Sequence, residues 1–199
     1  TFKGGIHPYE GKELSMSKPV SVLQPKGEMV FPLSQHIGAP AKPLVAKGDH
    51  VLVGQKIGEP GGFISACIIS SVSGTVKSLE PRMVANGAMV PSIIVENDGM
   101  YETVEGFGED RDPKTLSKEE IRNIVKEAGI VGLGGAGFPT HVKLTPKDES
   151  AIDTIIVNGA ECEPYLTSDY RMMLEEPLSI IKGLNVILQL FDNAKGDRK

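Results

Sequence analysis

Gly132-Leu133-Gly134-Gly135-Ala136-Gly137-Phe138-Pro139-Thr140 is the stretch around which the chain is organised. Four glycines in six residues free the backbone for positive φ and for close approach to a ligand. Successive N–H groups in such a loop form a concavity suited to phosphate. Formally, Gly132-x-Gly134-x-x-Gly137 satisfies the dinucleotide fingerprint, which should follow a strand and open a full crossover helix. The surroundings supply neither. Ser117 and Glu120 stand in capping-box positions, and Ile121, Ile124, Val125 and Ala128 make one apolar helical stripe. Gly129 is placed to end that helix in a left-handed cap. A helix therefore leads into the loop, and Pro139 and Pro146 keep its sequel short. This context excludes the ordinary Rossmann reading. A P-loop is excluded too, because Gly-Lys-Ser/Thr is missing.

Downstream, the apolar and β-branched run 153–157 predicts a buried parallel strand. It passes directly into Asn158-Gly159-Ala160-Glu161-Cys162-Glu163-Pro164. Open α/β sheets bind ligands at the carboxyl ends of their strands, so this placement marks a site. The two stretches together are expected to make most of one ligand site. Ser168 or Asp169 can cap a short helix through Leu174, and Pro177 suits the first turn of the next. In that helix Ile180, Ile181, Leu184, Ile187, Leu188 and Phe191 give a broad apolar face for core packing. Beyond Asp192 an α/β domain is expected to continue into another strand.

The first hundred residues differ in character. They are rich in Gly and Pro, with strand candidates at 29–33, 42–45, 50–53, 64–69, 74–79 and 93–95 separated by turn signals. Such spacing predicts a small barrel or sandwich. Gly48-Asp49-His50-Val51, Gly54-Gln55-Lys56-Ile57 and Ser73-Gly74-Thr75-Val76 resemble the turns of the biotinyl/lipoyl carrier family. That family carries its cofactor on a lysine at a hairpin tip. The residues here are Glu59-Pro60-Gly61-Gly62-Phe63-Ile64-Ser65, with no lysine, and Lys56 lies on the strand before the tip. A carrier-like barrel kept for docking is the reading adopted. His7, His36 and His50 are each single and read as structural histidines. The expected division is a barrel over 1–98, a polar acidic linker over 99–114, and an α/β domain over 115–199.

Composition narrows the function. The 199 residues are 40% hydrophobic and 24% charged, with a net charge of −5, which argues against nucleic acid as partner. No stretch reaches the roughly 20 apolar residues of a membrane span, so membrane association is expected through partners. Cys67 and Cys162 have no CxxC spacing, and a [4Fe-4S] cluster needs about four thiolates. No metal site is expected within the chain, and a reducing cytosolic setting fits.

Residues 132–143 resemble the flavin loop of the NADH-oxidising 51-kDa subunit of respiratory complex I, and Asn158 to Pro164 resemble that family's second site motif. With the leading Gly4-Gly5-Ile6-His7-Pro8 and the carrier-like barrel, the whole chain resembles the RnfC family. These are NADH-side subunits of ion-translocating ferredoxin:NAD oxidoreductase complexes. The fold so implied is a two-domain α+β / α/β chain. An all-β barrel-sandwich hybrid precedes a truncated, complex-I-51-kDa-like FMN-binding domain.

The resemblance implies FMN and NAD(H) as cofactors. Backbones at Gly132, Gly134 and Gly135, with Gly137, would line the FMN phosphate and ring. Lys143 would reach the flavin and favour its reduced, anionic form. Asn158 would hydrogen-bond FMN with Glu161 beside it, and Cys162 would line the pocket. Phe138 and Glu163 would lie on the nicotinamide side. Leu133 stands where complex I commonly has arginine, and Ala160 where it has aspartate. No residue is expected to act as acid, base or nucleophile, since hydride and electron transfer belong to the flavin.

The resemblance further implies other Rnf membrane subunits as partners, ferredoxin indirectly, and a peripheral place on the cytoplasmic face of the bacterial inner membrane. The [4Fe-4S] clusters are expected only in a carboxyl-terminal part beyond this segment. The segment is expected to be inactive alone. Two alternatives compete with this reading. One is a cobalamin reductase-like flavoprotein, against which the leading barrel argues; the other is a non-catalytic docking module.

Overall fold

The computed structural model describes residues 4–198. They fall into two compact units, one of residues 24–147 and one joining 4–23 to 148–198. These boundaries lie elsewhere than the sequence-based divisions at 98 and 115.

The larger unit is a barrel-like pair of antiparallel sheets. One has the order β1 (Glu28–Pro32), β7 (Met89–Asn97), β6 (Gly74–Met83), β3 (His50–Val51). The other has the order β2 (Lys42–Pro43), β4 (Lys56–Glu59), β5 (Ile68–Ile69). Phe31, Leu33, Val51, Ile57, Ile68 and Val76, with Ile93 and Val95, share one apolar core. Register shifts within β6–β7 and β4–β5 bend these short ladders around it.

Several expected strands change. The run 64–69 is strand only at its end, because residues 61–65 fold back onto 38–40 instead of pairing. β3 stops at Val51, whereas β6 extends to Met83 and forms a long hairpin with β7. β4, outside the numbered strand candidates but the strand before the tip on which Lys56 is expected, places that lysine in an ion pair with Glu127. His50 bonds the Asp98 carboxylate at 3.2 Å, and Ser73 Oγ donates to the same group at 2.6 Å, tying residue 98 to the barrel.

Helix α1 (Lys118–Glu127) also belongs to this unit. Its capping box is complete: Ser117 Oγ accepts from the Glu120 N–H at 3.3 Å, and Glu120 Oε2 accepts from the Ser117 N–H at 2.7 Å. Ile121 is the buried residue of its stripe. The helix ends at Gly129 (φ +66), whose backbone lies against the carbonyl leading into β5. A Cβ there would sit 2.5 Å from the Cys67 oxygen.

The smaller unit has a parallel pair, β8 (Thr154–Val157) and β9 (Lys195–Arg198), joined through α3 (Ser168–Glu175) and α4 (Pro177–Leu188). The strand expected after residue 192 is β9. Leu184 is buried, and its side chain and that of Leu188 close on Gly196, where a Cβ would be 3.1 and 2.9 Å from them. β8 is less buried than its sequence suggests. Ile156 is 53% exposed, because α4 covers one face of the pair and the other face is open.

Residues 4–23 belong to this smaller unit. Lys12 Nζ donates to the carbonyls of Glu161, Glu163 and Leu166 at 3.4, 3.0 and 2.9 Å. Gly11 (φ +61) passes so close to the Tyr165 ring that a Cβ would be 2.3 Å away. Tyr165, itself at φ +67, donates its N–H to the Glu10 carbonyl at 2.6 Å. Ser15 Oγ pairs with Thr167 Oγ1 at 2.9 Å, and the Arg171 guanidinium donates to the Met16 carbonyl at 3.2 Å.

Substitutions at two of these positions test the packing. Gly129→Ala must strain a left-handed residue and displace backbone, and should destabilise the larger unit by about 2 kcal/mol or more in urea titration. Lys12→Met removes a charged donor shared by three carbonyls. Amide exchange at Tyr165 and Asp169 should then quicken about tenfold, equivalent to about 1.4 kcal/mol.

Candidate functional site

The larger unit presents the glycine loop. Val131 bridges Pro139, the Gly132 N–H donates to the Phe138 carbonyl at 2.9 Å, and the Thr140 N–H donates to the Ile130 carbonyl at 3.0 Å. Those bonds close the loop at its base, and Pro139 beneath it is fully buried. Gly135 (φ +139) and Gly137 (φ +60) turn the chain in conformations that suit glycine. Among the described residues, no N–H from 133 to 138 donates to a backbone acceptor. A Cβ at Gly134 or Gly135 would meet nothing within 4 Å, so the chain has open space beside it there.

Lys143 ends the short helix α2 (Thr140–Lys143), which starts as the loop closes. Its Nζ would lie 3.2 Å from a Cβ at Gly132, which puts the ammonium over the loop's base. Unpaired amides beside a lysine fit a phosphate-bearing group such as FMN. Gly132, Gly134, Gly135, Gly137, Phe138 and Lys143 are thus brought together in this unit. Leu133 projects from the loop at 95% exposure. His141, on α2, has a buried Nδ1 without a partner among the described residues. Burial, then the charge of Lys126, holds it below the ordinary histidine range.

The smaller unit presents Asn158, Glu161, Cys162 and Glu163 together, just past the carboxyl end of β8. Asn158 Oδ1 accepts from the Ala160 N–H at 3.0 Å and turns the chain. Glu161 is committed locally: its Oε1 accepts from Ser168 Oγ at 2.9 Å and from the Asp169 N–H at 3.1 Å, at the start of α3. Burial works against the charged form, but these bonds, one from Tyr170 N–H and the charge of Lys12 hold the carboxyl below its usual value. Cys162 and Glu163 are exposed. A cavity of about 330 Å³ opens at Asn158 and Gly159, lined also by Met172, Met173, Ile180 and Ile181. A second, of about 250 Å³, is lined by Lys12, Gly159, Glu161, Tyr170 and Met173.

Sequence reasoning missed Lys12, Gly11 and Tyr165, which shape the second cluster, and Gln35–Ile37, which underlie the first. Lone basic residues and glycines in a Pro/Gly-rich stretch give no local signal of a partner about 150 positions away.

Comparison with known proteins shows the family. Residues 1–100 match the family described as RnfC barrel sandwich hybrid domain, and residues 125–196 match the Nuo51 FMN-binding domain. The chain is 43% identical over 195 residues to a subunit of the proton-translocating ferredoxin:NAD(+) oxidoreductase complex of Clostridium ljungdahlii, covering 98% of this chain and 43% of that protein. It is 43% identical over 199 residues to the corresponding subunit of the Na(+)-translocating complex of Acetobacterium woodii, covering 98% and 44%. With the corresponding subunit of the ion-translocating oxidoreductase complex of Pseudomonas aeruginosa the identity is 38%, covering 95% and 24%. The chain thus spans less than half the length of these relatives. With a barrel sandwich hybrid domain followed by a Nuo51-type FMN-binding domain, the chain belongs to the RnfC family.

Proposed function

We propose that the chain is the NADH- and FMN-binding part of a membrane-bound electron-transport complex that couples electron transfer between ferredoxin and NAD to ion translocation. The observation that carries this reading is the glycine loop, which keeps unpaired amides and has the Lys143 ammonium over its base. FMN, when bound, supplies the exchange between two-electron hydride transfer and single-electron transfer.

The chain's own residues bind and orient. Gly134, Gly135 and Gly137 present amides to the phosphate, Gly132 closes the loop beneath them through its bond to Phe138 and lines the site with its backbone, and Lys143 adds positive charge that favours an electron-rich flavin. Asn158 and Glu161 serve the flavin on this reading. Glu161 does so by organising the start of α3, to which its carboxylate is already bonded. Cys162 lines the pocket, while Phe138 and Glu163 serve the nicotinamide. The barrel-and-linker division at 1–98 and 99–114, ahead of an FMN domain over 115–199, describes modules along the chain on this reading.

Two cysteines cannot hold a four-thiolate cluster, so the [4Fe-4S] centres lie outside these residues on this reading. No helix among the described residues is long and apolar enough to cross a membrane. On this reading, attachment to the cytoplasmic face of the inner membrane runs through other Rnf subunits, and ferredoxin is reached indirectly. Equal identity to a proton-translocating and a Na(+)-translocating relative supports placing the choice of ion outside this segment.

Titration of the chain with FMN, followed by flavin fluorescence quenching, tests the reading. Gly135→Val forces a bulky residue into φ +139 and should weaken FMN by at least about tenfold. Lys143→Ala removes a charge-assisted contact and should weaken it by about tenfold. Absence of FMN binding, or an affinity unchanged by Gly135→Val, would overturn it.

A further inference from the structure

Between β4 and β5 the chain makes a loop that ends at Ser65, which has no exposed surface. Its hydroxyl donates to the Ala39 carbonyl at 2.8 Å and accepts from the Gly61 N–H at 3.0 Å. A hydroxyl has one proton to give, so the third contact, 3.0 Å from His36 Nε2, must be donated by the imidazole. His36 is therefore the Nε2–H tautomer, and its bare Nδ1 is buried with no partner among the described residues. Protonation would leave an N–H there with no acceptor. Burial correspondingly holds His36 below the ordinary histidine range.

The backbone around this pair is interlocked. The Ala39 N–H donates to the Ile64 carbonyl at 2.9 Å. A Cβ at Gly38 (φ +102) would lie 2.1 Å from the Ile64 oxygen, and one at Gly61 would lie 1.9 Å from the Pro40 oxygen. Segment 35–40 is thus clamped by loop 61–65.

Against that clamped segment rests the tip of the glycine loop. The Ile37 N–H donates to the Ala136 carbonyl at 3.1 Å. Gly137 packs so closely that a Cβ would be 2.8 Å from the Gln35 oxygen and 3.1 Å from His36 Cα. Apart from its base, the loop has no internal backbone bond among the described residues. Its tip takes its conformation from this outside contact.

We propose that His36, held by Ser65, is a positioning residue for the glycine loop: it fixes Gln35–Ile37, on which Ala136 and Gly137 rest, and so aims the free amides at a cofactor phosphate. The cofactor part of this proposal rests on the FMN reading above. The loop of a lysine-less carrier-like barrel thereby becomes a brace for the nucleotide site.

The test uses the 199-residue chain with His36→Leu, Ser65→Ala and His36→Gln, whose amide can still donate to Ser65. Two quantities are read: amide exchange at Ile37, without ligand, and the FMN dissociation constant by fluorescence quenching. Exchange in β6 and β7 serves as the folding control. Leu and Ala variants should show Ile37 exchange about tenfold faster and FMN at least about fivefold weaker, with β6–β7 protection retained. The Gln variant should stay within about twofold of the parent on both. If His36→Leu loses β6–β7 protection, Ser65→Ala carries the test, since it deletes only one oxygen.

Unchanged Ile37 exchange in the Leu and Ala variants overturns the proposal. So does faster exchange with unchanged FMN affinity. A Gln variant that behaves like Leu overturns the hydrogen-bonding route. If the parent chain binds no FMN while Ile37 exchange responds as expected, the FMN reading falls and the bracing of the loop stands.

Discussion

The short antiparallel closure in which Val131 meets Pro139, sealed by the Gly132 N–H on the Phe138 carbonyl, is what the glycine loop depends on. A loop that binds an anion through its amides cannot also use those amides to hold itself together. Its shape must come from the base and from outside. Buried Pro139 anchors the base, and the barrel segment 35–37 supports the tip. Helix α1 delivers the chain to that base, and Gly129 lets its end lie directly on the backbone entering β5. The barrel and the loop are therefore one compact unit.

The second cluster obeys the same rule with different materials. The turn after β8 has few hydrogen bonds of its own, and three of its carbonyls converge on Lys12. Glu161 is held at the start of α3, where a carboxylate is favoured by free N–H groups. Tyr165 is kept in a left-handed conformation, costly for a non-glycine residue, by its bond to Glu10 and its packing on Gly11. In both clusters the residues that touch a cofactor on the proposed reading are shaped by residues distant in sequence.

Legibility in the sequence follows how local the determining physics is. The capping box and the left-handed Gly129 involve neighbours within one or two turns, and both are as the sequence indicates, whereas the apolar stripe is buried only at Ile121. The same holds for Pro177 opening α4. β4 escapes a reading by periodicity, though not by resemblance to the carrier turns, because Gly58 and Lys56 break the alternation that marks a strand; pairing with β2 and β5 makes them one. β8 reads as buried on both faces because its residues are apolar and β-branched. Exposure of Ile156 reflects what covers the pair, which composition does not encode.

By itself, the sequence determined the presence of a carrier-like β region, the capped helix before the glycines, and the two site-bearing stretches with their residue chemistry. Those follow from backbone preferences and periodicity, which act over a few residues. Tertiary structure alone decided that Lys12 serves the turn after β8, that His36 and Ser65 sit beneath the glycine loop, and that residues 4–23 join 148–198. Each of these rests on a hydrogen bond or a sub-van-der-Waals approach between segments far apart in the chain. Such contacts leave no local pattern, because either partner alone is an ordinary lysine, histidine or glycine.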